Sequence, residues 1–258
     1  MEATRHDYAA QAARYDRTRA ASPDLVALLA QAVAGEPGPR LVDVGGGTGN
    51  YAAALRQRGF APLVIDRAPA MLARARDKGL ACLRGDATAL PVATASADVV
   101  MSISMLHLVP DWRAMLRELR RVLRPGGRGA LMLYTRENLG VHWVFDYFPS
   151  TRAWVEDWHG PLAEVLAELP GARVVPLRFS DGSDGSLAAL CRTPARLLDP
   201  AARAQTSYFE KLETEAPAVL AAGLAALRRD LDGGRRPDVE VAAVREKVGD
   251  GTVIMWTA

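Results

Sequence analysis

The stretch LVDVGGGTGNY, residues 41–51, constrains the fold of this chain more than any other segment. An apolar run leads into four glycines within five positions, and a helical pattern follows them. Glycines after a strand allow a tight turn into a helix, and they let a ligand approach the backbone amides closely. The segment therefore predicts a strand, a turn and a helix, with a binding site at the carboxyl end of the strand.

Short apolar runs alternate with helical patterns from residue 41 to residue 135, which is typical of a parallel sheet built from strand-helix-strand units. Pro69 in a first helical turn and Asp111 as an N-cap mark two helix starts. The predicted helices span 50–58, 69–78 and 111–123. Strands are predicted at 41–45, 61–66, 81–85, 97–104, 128–135, 173–180 and 252–257.

Two further regions flank this core. Residues 3–34 predict two helices broken at Ser22-Pro23, and residues 194–233 predict a helical stretch between the last two strands. We expect one domain with three parts. These are an N-terminal helical cap at 1–40, a cofactor-binding core at 41–135, and a substrate-side lid with a helical insertion and closing strands at 136–258.

The charges and cysteines exclude several classes of function. The 32 basic and 30 acidic residues are interspersed and leave a net charge of +2, so nucleic acid is not an expected partner. Cys82 and Cys191 lie far apart in apolar, strand-like runs, which predicts buried free thiols and no metal site. The polar amino terminus and the absence of a run of about 20 apolar residues predict a cytoplasmic protein without membrane contact, as a monomer or homodimer.

The glycine spacing discriminates between cofactors. Gly45, Gly47 and Gly49 form GxGxG, and Asn50 stands where a dinucleotide fingerprint requires its last glycine, which counts against NAD. The turn still presents amides at a helix N-terminus, which suits a carboxylate or a hydroxyl-rich ligand. Asp43, inside the first strand, would repel a pyrophosphate and attract an ammonium group.

Two more acids end the next two predicted strands. Asp66 suits the two hydroxyls of a ribose, and Asp86 suits the amino group of an adenine. The alternative is that Asp66 caps the helix at Pro69 and Asp86 caps the turn before Leu90-Pro91. An amino-acid end, a ribose and an adenine occur together in S-adenosylmethionine, and the three acids favour that cofactor.

Five motifs, in order, resemble those of the class I S-adenosylmethionine-dependent methyltransferases, and of their small-molecule branch with the menaquinone and ubiquinone biosynthesis enzymes. The motifs are VDVGGGTG, VIDRAPAML, LRGDATALPVATASADVV, MLHLVPDW and RVLRPGG. The resemblance implies a Rossmann-like class I methyltransferase fold of the α/β class. Its mostly parallel seven-stranded sheet would carry helices on both faces, with N-terminal helices and a helical cap.

The resemblance also implies where the cofactor lies. The turn and the acid before it would hold the methionine end, and residues after the second and third strands would hold the ribose and adenine. Ser102 to Met105 would lie beneath the sulfonium, and two residues of the amino-terminal helices would close over it. The implied cofactor residues are Tyr15, Arg19, Asp43, Gly45, Gly46, Gly47, Asp66, Arg67, Met71, Asp86, Ala87 and Ser102.

Methyl transfer from a sulfonium depends chiefly on holding the acceptor and the methyl carbon together, although an unactivated hydroxyl also needs proton removal. His107, just after the fourth predicted strand, is the candidate base or substrate orienter, and its alternative role is to pack a loop. His142, His159, Glu137 and Asp146 are alternative bases that sequence alone does not distinguish from surface residues.

Six of the chain's 16 aromatic residues fall in residues 142–160. This density predicts a substrate lid, because aromatic faces hold flat or apolar molecules. The alternative is that these side chains pack a helix onto the core. The predicted substrate-binding residues are His107, Trp143, Tyr147, Phe148 and Trp154.

The sequence thus predicts a methyltransferase that acts on a small aromatic or apolar molecule, such as a secondary metabolite, at O, N or C. A second hypothesis is a cyclase or other non-methylating enzyme that uses the cofactor as a bound charge. A nicotinamide-dependent oxidoreductase and a binding-only regulator are the remaining alternatives.

Overall fold

The computed structural model describes residues 20–32, 38–156, 159–180 and 186–258. Tyr15, Arg19 and residues 181–185 lie outside these ranges, as does most of the predicted N-terminal cap. The strands are β1 Arg40–Val44, β2 Ala61–Asp66, β3 Ala81–Arg84, β4 Ala97–Ile103, β5 Leu123–Leu133, β6 Arg173–Leu177 and β7 Gly251–Thr257.

The helices of the first half are α1 Pro23–Ala32, α2 Asn50–Arg56, α3 Pro69–Asp77 and α4 Trp112–Val122. Those of the second half are α5 Arg152–Glu156, α6 Leu162–Glu168, α7 Leu187–Leu190, α8 Pro200–Arg203, α9 Ser207–Glu215, α10 Pro217–Asp232, α11 Pro237–Glu240 and α12 Ala242–Val248. Asp111 caps α4 by accepting a hydrogen bond from the amide of Ala114, as its sequence position predicts. Among these residues no helix is both long enough and apolar enough to cross a membrane.

The seven strands form one sheet in the order β3-β2-β1-β4-β5-β7-β6. The first five strands pair in parallel, whereas β7 is antiparallel to both β5 and β6. The predicted mostly parallel sheet is therefore confirmed. The carboxyl ends of β1, β2, β3 and β4 meet at one edge, which brings the residues after them together.

Helices cover both faces because side chains alternate along buried strands. Val42 and Leu131 face α4 and α6, whereas Leu41 and Met101 face α1 and α2. The α4 side chains Met115, Leu116 and Leu119 are buried in the first of these layers. The sheet is thus the middle layer of three.

Two predicted elements differ from the structure. Strand β5 starts at Leu123 and not at 128, because Leu123 pairs with Ala97 before a register shift and the Pro125-Gly126-Gly127 segment stays within the strand. The predicted helical stretch at 194–233 is divided into a short 3-10 turn and α8, α9 and α10. Proline begins α8 at Pro200 and α10 at Pro217, since its ring fixes φ and it lacks an amide hydrogen, whereas α9 begins after its N-cap Thr206.

The cysteines also differ in part from their prediction. Cys191 is buried as predicted, but it follows α7 and does not lie in a strand. Cys82 lies on β3, at the edge of the sheet, where it is only half-buried. Both thiols are free.

A second apolar cluster, here called the cap core, lies beside the sheet and joins the segment after β5 to α9 and α10. Its largest members are Trp143, Phe145, Tyr147, Phe148, Tyr208 and Phe209. Helix α10 approaches this cluster at Gly223, where its backbone lies directly against the ring of Phe148.

Gly223→Ala is expected to destabilise the protein by about 1–3 kcal/mol, because overpacking a dense core forces neighbours to shift. The added methyl would overlap the Phe148 ring and lie 2.7 Å from the Tyr147 carbonyl oxygen, which cannot move freely. Urea unfolding measures the effect. The matched variant Gly234→Ala places its methyl in open space, although there the positive φ of 87° adds strain of its own. A Gly223→Ala protein as stable as wild type would show that α10 does not pack against the cap core in this way.

Candidate cofactor site

The glycine turn connects β1 to α2 at the carboxyl edge of the sheet. The amides of Gly45 and Gly46 donate to the carbonyl oxygen of Ile65, at 2.7 and 3.3 Å, which ties the turn to β2. Gly45 has a φ of 70°, and a methyl there would overlap the sulfur of Met105. Glycine is therefore required here both by the backbone conformation and by a close neighbour.

Asp43 lies on β1 directly beneath this turn. Its side chain is 2% exposed, and a Cβ added at Gly46 would lie 2.5 Å from its Oδ2 atom. Burial, with a smaller contribution from the carboxylate of Asp66, raises the pKa of Asp43 to about 7. Among the described residues, no cation contributes to lowering this pKa, so the site favours an added positive charge.

Asp66, the last residue of β2, faces the same turn. Its Oδ2 accepts from the amide of Gly47 at 3.0 Å, and its Oδ1 accepts from the amide of Ala68 at 2.8 Å. Ala68 immediately precedes α3, so part of the predicted capping alternative is correct. The same carboxylate also joins the glycine turn, which places it between the two elements that a ribose would contact.

Asp86 follows β3 and is exposed at the same edge. It accepts from both the amide and the hydroxyl of Thr88, at 2.8 and 2.7 Å, and these bonds lower its pKa, with Arg67 adding a smaller effect. The turn-capping alternative therefore describes what Asp86 does in this structure. Its role toward an adenine stays a prediction.

The remaining predicted cofactor residues surround this group. Met71 is buried in α3 beside Ala68, and Ala87 is half-buried after β3. The buried hydroxyl of Ser102 donates to the carbonyl oxygen of Val44 at 2.8 Å, so it fixes β4 to the last residue of β1. Ser102 thus supports the edge on which the turn rests.

The chain leaves β4 through a strained residue. Ser104 has a φ of 53°, a left-handed conformation that is uncommon outside glycine. Its amide donates to the Met132 carbonyl at 2.8 Å, and the reversal brings Met105 over Gly45. Such strain is concentrated at functional sites, and sequence alone does not reveal it.

Comparison with known proteins identifies this arrangement. Residues 42–131 match the family model described as a methyltransferase domain. This part of the chain is thus similar to a methyltransferase domain. The predicted class I, Rossmann-like fold of the S-adenosylmethionine-dependent enzymes is confirmed by this match and by the sheet order.

Individual relatives agree with the domain assignment. The chain is 36% identical over 118 residues to a malonyl-[acyl-carrier protein] O-methyltransferase of Serratia marcescens, covering 45% of this chain and 46% of that protein. It is 34% identical over 93 residues to a demethylmenaquinone methyltransferase of Corynebacterium glutamicum, covering 36% and 40%. The matched part thus spans less than half the length of these curated relatives.

A solved structure matches the fold over nearly the whole chain. It is a putative methyltransferase from an antibiotic biosynthesis pathway of Anabaena variabilis, with a TM-score of 0.72 and 22% identity. The likeness covers 93% of this chain and 99% of that one. The fold that the two chains share therefore extends well beyond residues 42–131.

His107 lies just beyond the carboxyl end of β4. This side chain is exposed, on the 3-10 turn Leu106–Leu108 that follows β4. The structure thus places His107 two residues after Met105, the residue whose sulfur lies over Gly45. Its role as a base or substrate orienter stays a prediction.

The aromatic residues predicted to form a lid lie largely inside the cap core. Trp143, Tyr147 and Phe148 are buried, and the first two donate internal hydrogen bonds, Trp143 Nε1 to the Cys191 carbonyl and Tyr147 to Asp230. Trp154 is half-buried. The packing alternative thus describes their contacts here, and their contact with a substrate stays a prediction. Trp158 lies outside the described residues.

Of the four alternative bases, two are brought together and two are not. Glu137 and Asp146 are exposed, and Asp146 pairs with Arg235 on the surface. His142 and His159 are both buried, with ring centroids 5.8 Å apart. Sequence gives no signal for this pairing, because a lone histidine carries no periodic burial pattern.

Proposed function

We propose that the protein transfers the methyl group of S-adenosylmethionine to a small molecule. The observation that carries the proposal is Asp43, a buried carboxylate beneath a turn of bare amides, with its pKa raised to about 7. A ligand that carries an ammonium beside a carboxylate matches this pair of features, because the ammonium compensates the acid and the carboxylate faces the amides. S-adenosylmethionine supplies an activated methyl when it is bound.

The proposed binding residues lie at or after the carboxyl ends of four strands, and each group contacts a different part of the cofactor. Asp43 with Gly45, Gly46 and Gly47 would hold the amino-acid end, and Asp66 would hold the ribose. Arg67, Met71, Asp86 and Ala87 would surround the adenine. Tyr15 and Arg19 would close over the cofactor, and Ser102 would keep the edge of the sheet in place.

The acceptor is proposed to be aromatic or apolar. The proposal is supported by the aromatic side chains of the segment after β5 and by His107 after β4, because these two neighbouring parallel strands end at the same edge of the sheet. Residues 41–135 would then bind the cofactor, residues 136–258 would select the acceptor, and residues 1–40 would cover the site. The active protein is proposed to be a monomer or homodimer.

Asp66→Ala is expected to weaken the binding of S-adenosylhomocysteine by roughly 10- to 150-fold, because hydrogen bonds to a charged group contribute about 1.5–3 kcal/mol. Titration calorimetry measures the affinity. Asp77→Ala removes an exposed carboxylate at the end of α3 and serves as the matched control. A wild-type protein that binds no S-adenosylhomocysteine would overturn the proposed function, and an Asp66→Ala protein with full affinity would remove the ribose assignment.

Turnover with an isotope-labelled methyl donor separates methyl transfer from non-methylating chemistry. Label is expected in an acceptor product, detected by mass spectrometry. Turnover that leaves the label in no product would favour a cyclase or related enzyme that uses the cofactor as a bound charge.

A further inference from the structure

His142 and His159 form a buried pair beside the carboxyl end of β5. Their side chains are 5% and 7% exposed, and their rings meet edge to face at 78°. The ring of Tyr134, the residue after β5, lies 6.1 Å from that of His159. The pair therefore occupies the interior between the sheet and the cap core.

The tautomer of His159 follows from one hydrogen bond. Its Nδ1 lies 2.6 Å from the carbonyl oxygen of Val155, and because a carbonyl only accepts, Nδ1 carries the proton. The Nε2 atom of a neutral ring then presents a lone pair. A base whose other ring nitrogen is fixed by an acceptor is the usual arrangement for proton transfer.

Several buried polar atoms around this pair have no hydrogen-bond partner. Among the described residues these include Nε2 of His159, both ring nitrogens of His142 and Nη2 of Arg245. Buried polar groups are nearly always partnered, and each unpartnered one costs about 1–3 kcal/mol. These unpartnered hydrogen-bond acceptors and donors fit a ligand that carries a hydroxyl group, because a hydroxyl both donates and accepts.

The electrostatics agree with a neutral base. Burial lowers the pKa of His142 to about 3, with His159 and Arg245 adding to the effect, and burial also lowers the pKa of His159. Both rings are therefore uncharged at neutral pH. Arg245, which is held by Asp250 at 2.7 Å, lies near His142, and its positive charge would stabilise an oxygen there as it loses its proton.

A short series of contacts links the pair to the cofactor turn. Gly160, next to His159, donates its amide to the Tyr134 carbonyl at 2.8 Å, and a Cβ on it would lie 3.5 Å from Leu106. Leu106 follows Met105, whose sulfur covers Gly45. The residue after β5 that Gly160 contacts thus lies at the same edge of the sheet as the glycine turn, two strands away.

We infer that the methyl acceptor is a hydroxylated molecule, that Nε2 of His159 is the base that takes its proton, and that His142 is a positioning residue. This inference rests on the proposed function. The acceptor oxygen forms a bond to the methyl carbon while the carbon–sulfur bond breaks and its electron pair stays on sulfur. The hydroxyl proton passes to His159 and then to solvent, so the charge lost from the sulfonium appears as that proton.

A metal is a poorer explanation for the open nitrogens. In the ranges that the structure describes, no group of three or more histidine, cysteine, aspartate or glutamate residues is arranged to hold a metal ion. The positive charge of Arg245 near His142 also disfavours a cation, whereas it favours an oxygen that becomes negative.

The test uses phenols of graded acidity as probe acceptors, with anilines as the contrasting class, and S-adenosylmethionine as donor. His159→Asn keeps a side-chain amide at the position of Nδ1, which can still donate to Val155, and it removes only the base. We expect a 10²- to 10³-fold loss of kcat for weakly acidic phenols, a smaller loss for 4-nitrophenol, and an unchanged affinity for S-adenosylhomocysteine. His142→Phe should lower kcat less than His159→Asn does. It should also shift the acidic limb of the pH profile of kcat.

The outcomes separate this inference from the proposed function. Equal rates for His159→Asn and wild type across the phenol series would overturn the assignment of the base. Binding of S-adenosylhomocysteine without methylation of any phenol, with or without methylation of anilines, would overturn the hydroxylated acceptor. Failure to bind S-adenosylhomocysteine would instead remove the proposed function itself. A thermal melt of each variant keeps loss of folding apart from loss of chemistry.

Discussion

Asp43→Asn is expected to weaken S-adenosylmethionine binding by roughly 100-fold and, at the same time, to stabilise the protein without ligand. The first effect follows because asparagine cannot compensate an ammonium group, and a buried charged hydrogen bond contributes about 1.5–3 kcal/mol. The second follows because the substitution removes a buried carboxylate that costs free energy when it ionises. A substitution that lowers cofactor affinity but raises the free energy of unfolding of the ligand-free protein distinguishes a binding residue from a structural one.

The stabilisation has a defined pH dependence. The folded pKa of Asp43, about 7, lies above its ordinary value of 3.8, so the wild-type protein gains stability from this group below about pH 4. That contribution is lost as pH rises from about 4 to about 7, and the full shift corresponds to about 4 kcal/mol. The free energy of unfolding of Asp43→Asn should therefore exceed that of wild type most at pH 8 and only slightly at pH 4.

Urea unfolding at several pH values, with calorimetry of the cofactor, measures both effects. Asp250→Asn is the matched control, since that carboxylate is equally buried but paired with Arg245. Loss of a paired buried charge is expected to destabilise by about 3–5 kcal/mol. An Asp43→Asn protein that is destabilised at pH 8, or that binds the cofactor at full strength, would contradict the role of Asp43.

Mild acid is expected to destabilise the protein through His142. Its folded pKa of about 3 lies below the ordinary value of 6.5, so the unfolded chain binds more protons between these values. Stability from this group is complete above about pH 6.5 and is lost as pH falls toward 3. At pH 5 the loss from His142 alone is about 2 kcal/mol.

His142→Phe should remove this part of the acid sensitivity while keeping a ring of similar size. The groups that face His142 and share the pH window are His159, whose pKa burial also lowers, and Arg245, which stays charged. Val144→Ala, from the same buried segment, should lower stability by a similar amount at pH 5 and pH 7.5. Urea denaturation at these two pH values measures the free energy of unfolding. An equal loss of stability from pH 7.5 to pH 5 in His142→Phe and wild type would contradict the prediction.

The sequence predicts the first half of the fold closely because its signals are local. The predicted strand at 61–66 has the bounds of β2, and the signals at Pro69 and Asp111 correctly place the starts of α3 and α4. The direction of β7 is not predictable in this way, since an apolar run has the same pattern whichever way the strand points. Its place between β5 and β6 depends on pairing between distant residues.

The same distinction applies to the site. Asp43, the glycines and Asp66 follow from spacing, because consecutive strand ends of a parallel sheet must meet at one edge. The approach of His142 to His159 depends on how the segment after β5 folds back along Thr135 and Gly160. Short 3-10 turns at 136–151 carry no regular apolar period, so neither this path nor the burial of the aromatic residues could be predicted.

The pairing of β5 with β7 also bears on how the chain folds. Arg128 pairs with Thr257 and Leu133 with Thr252, so the ladder joins residues that are 257 − 128 = 129 and 252 − 133 = 119 positions apart in the sequence. Loop closure of this length delays such contacts, whereas the parallel units up to β5 form from nearby segments. Until β7 docks, the apolar edge of β5 is open to other chains. Self-association of this intermediate, and not loss of the cofactor site, is the expected failure when the last strand is weakened.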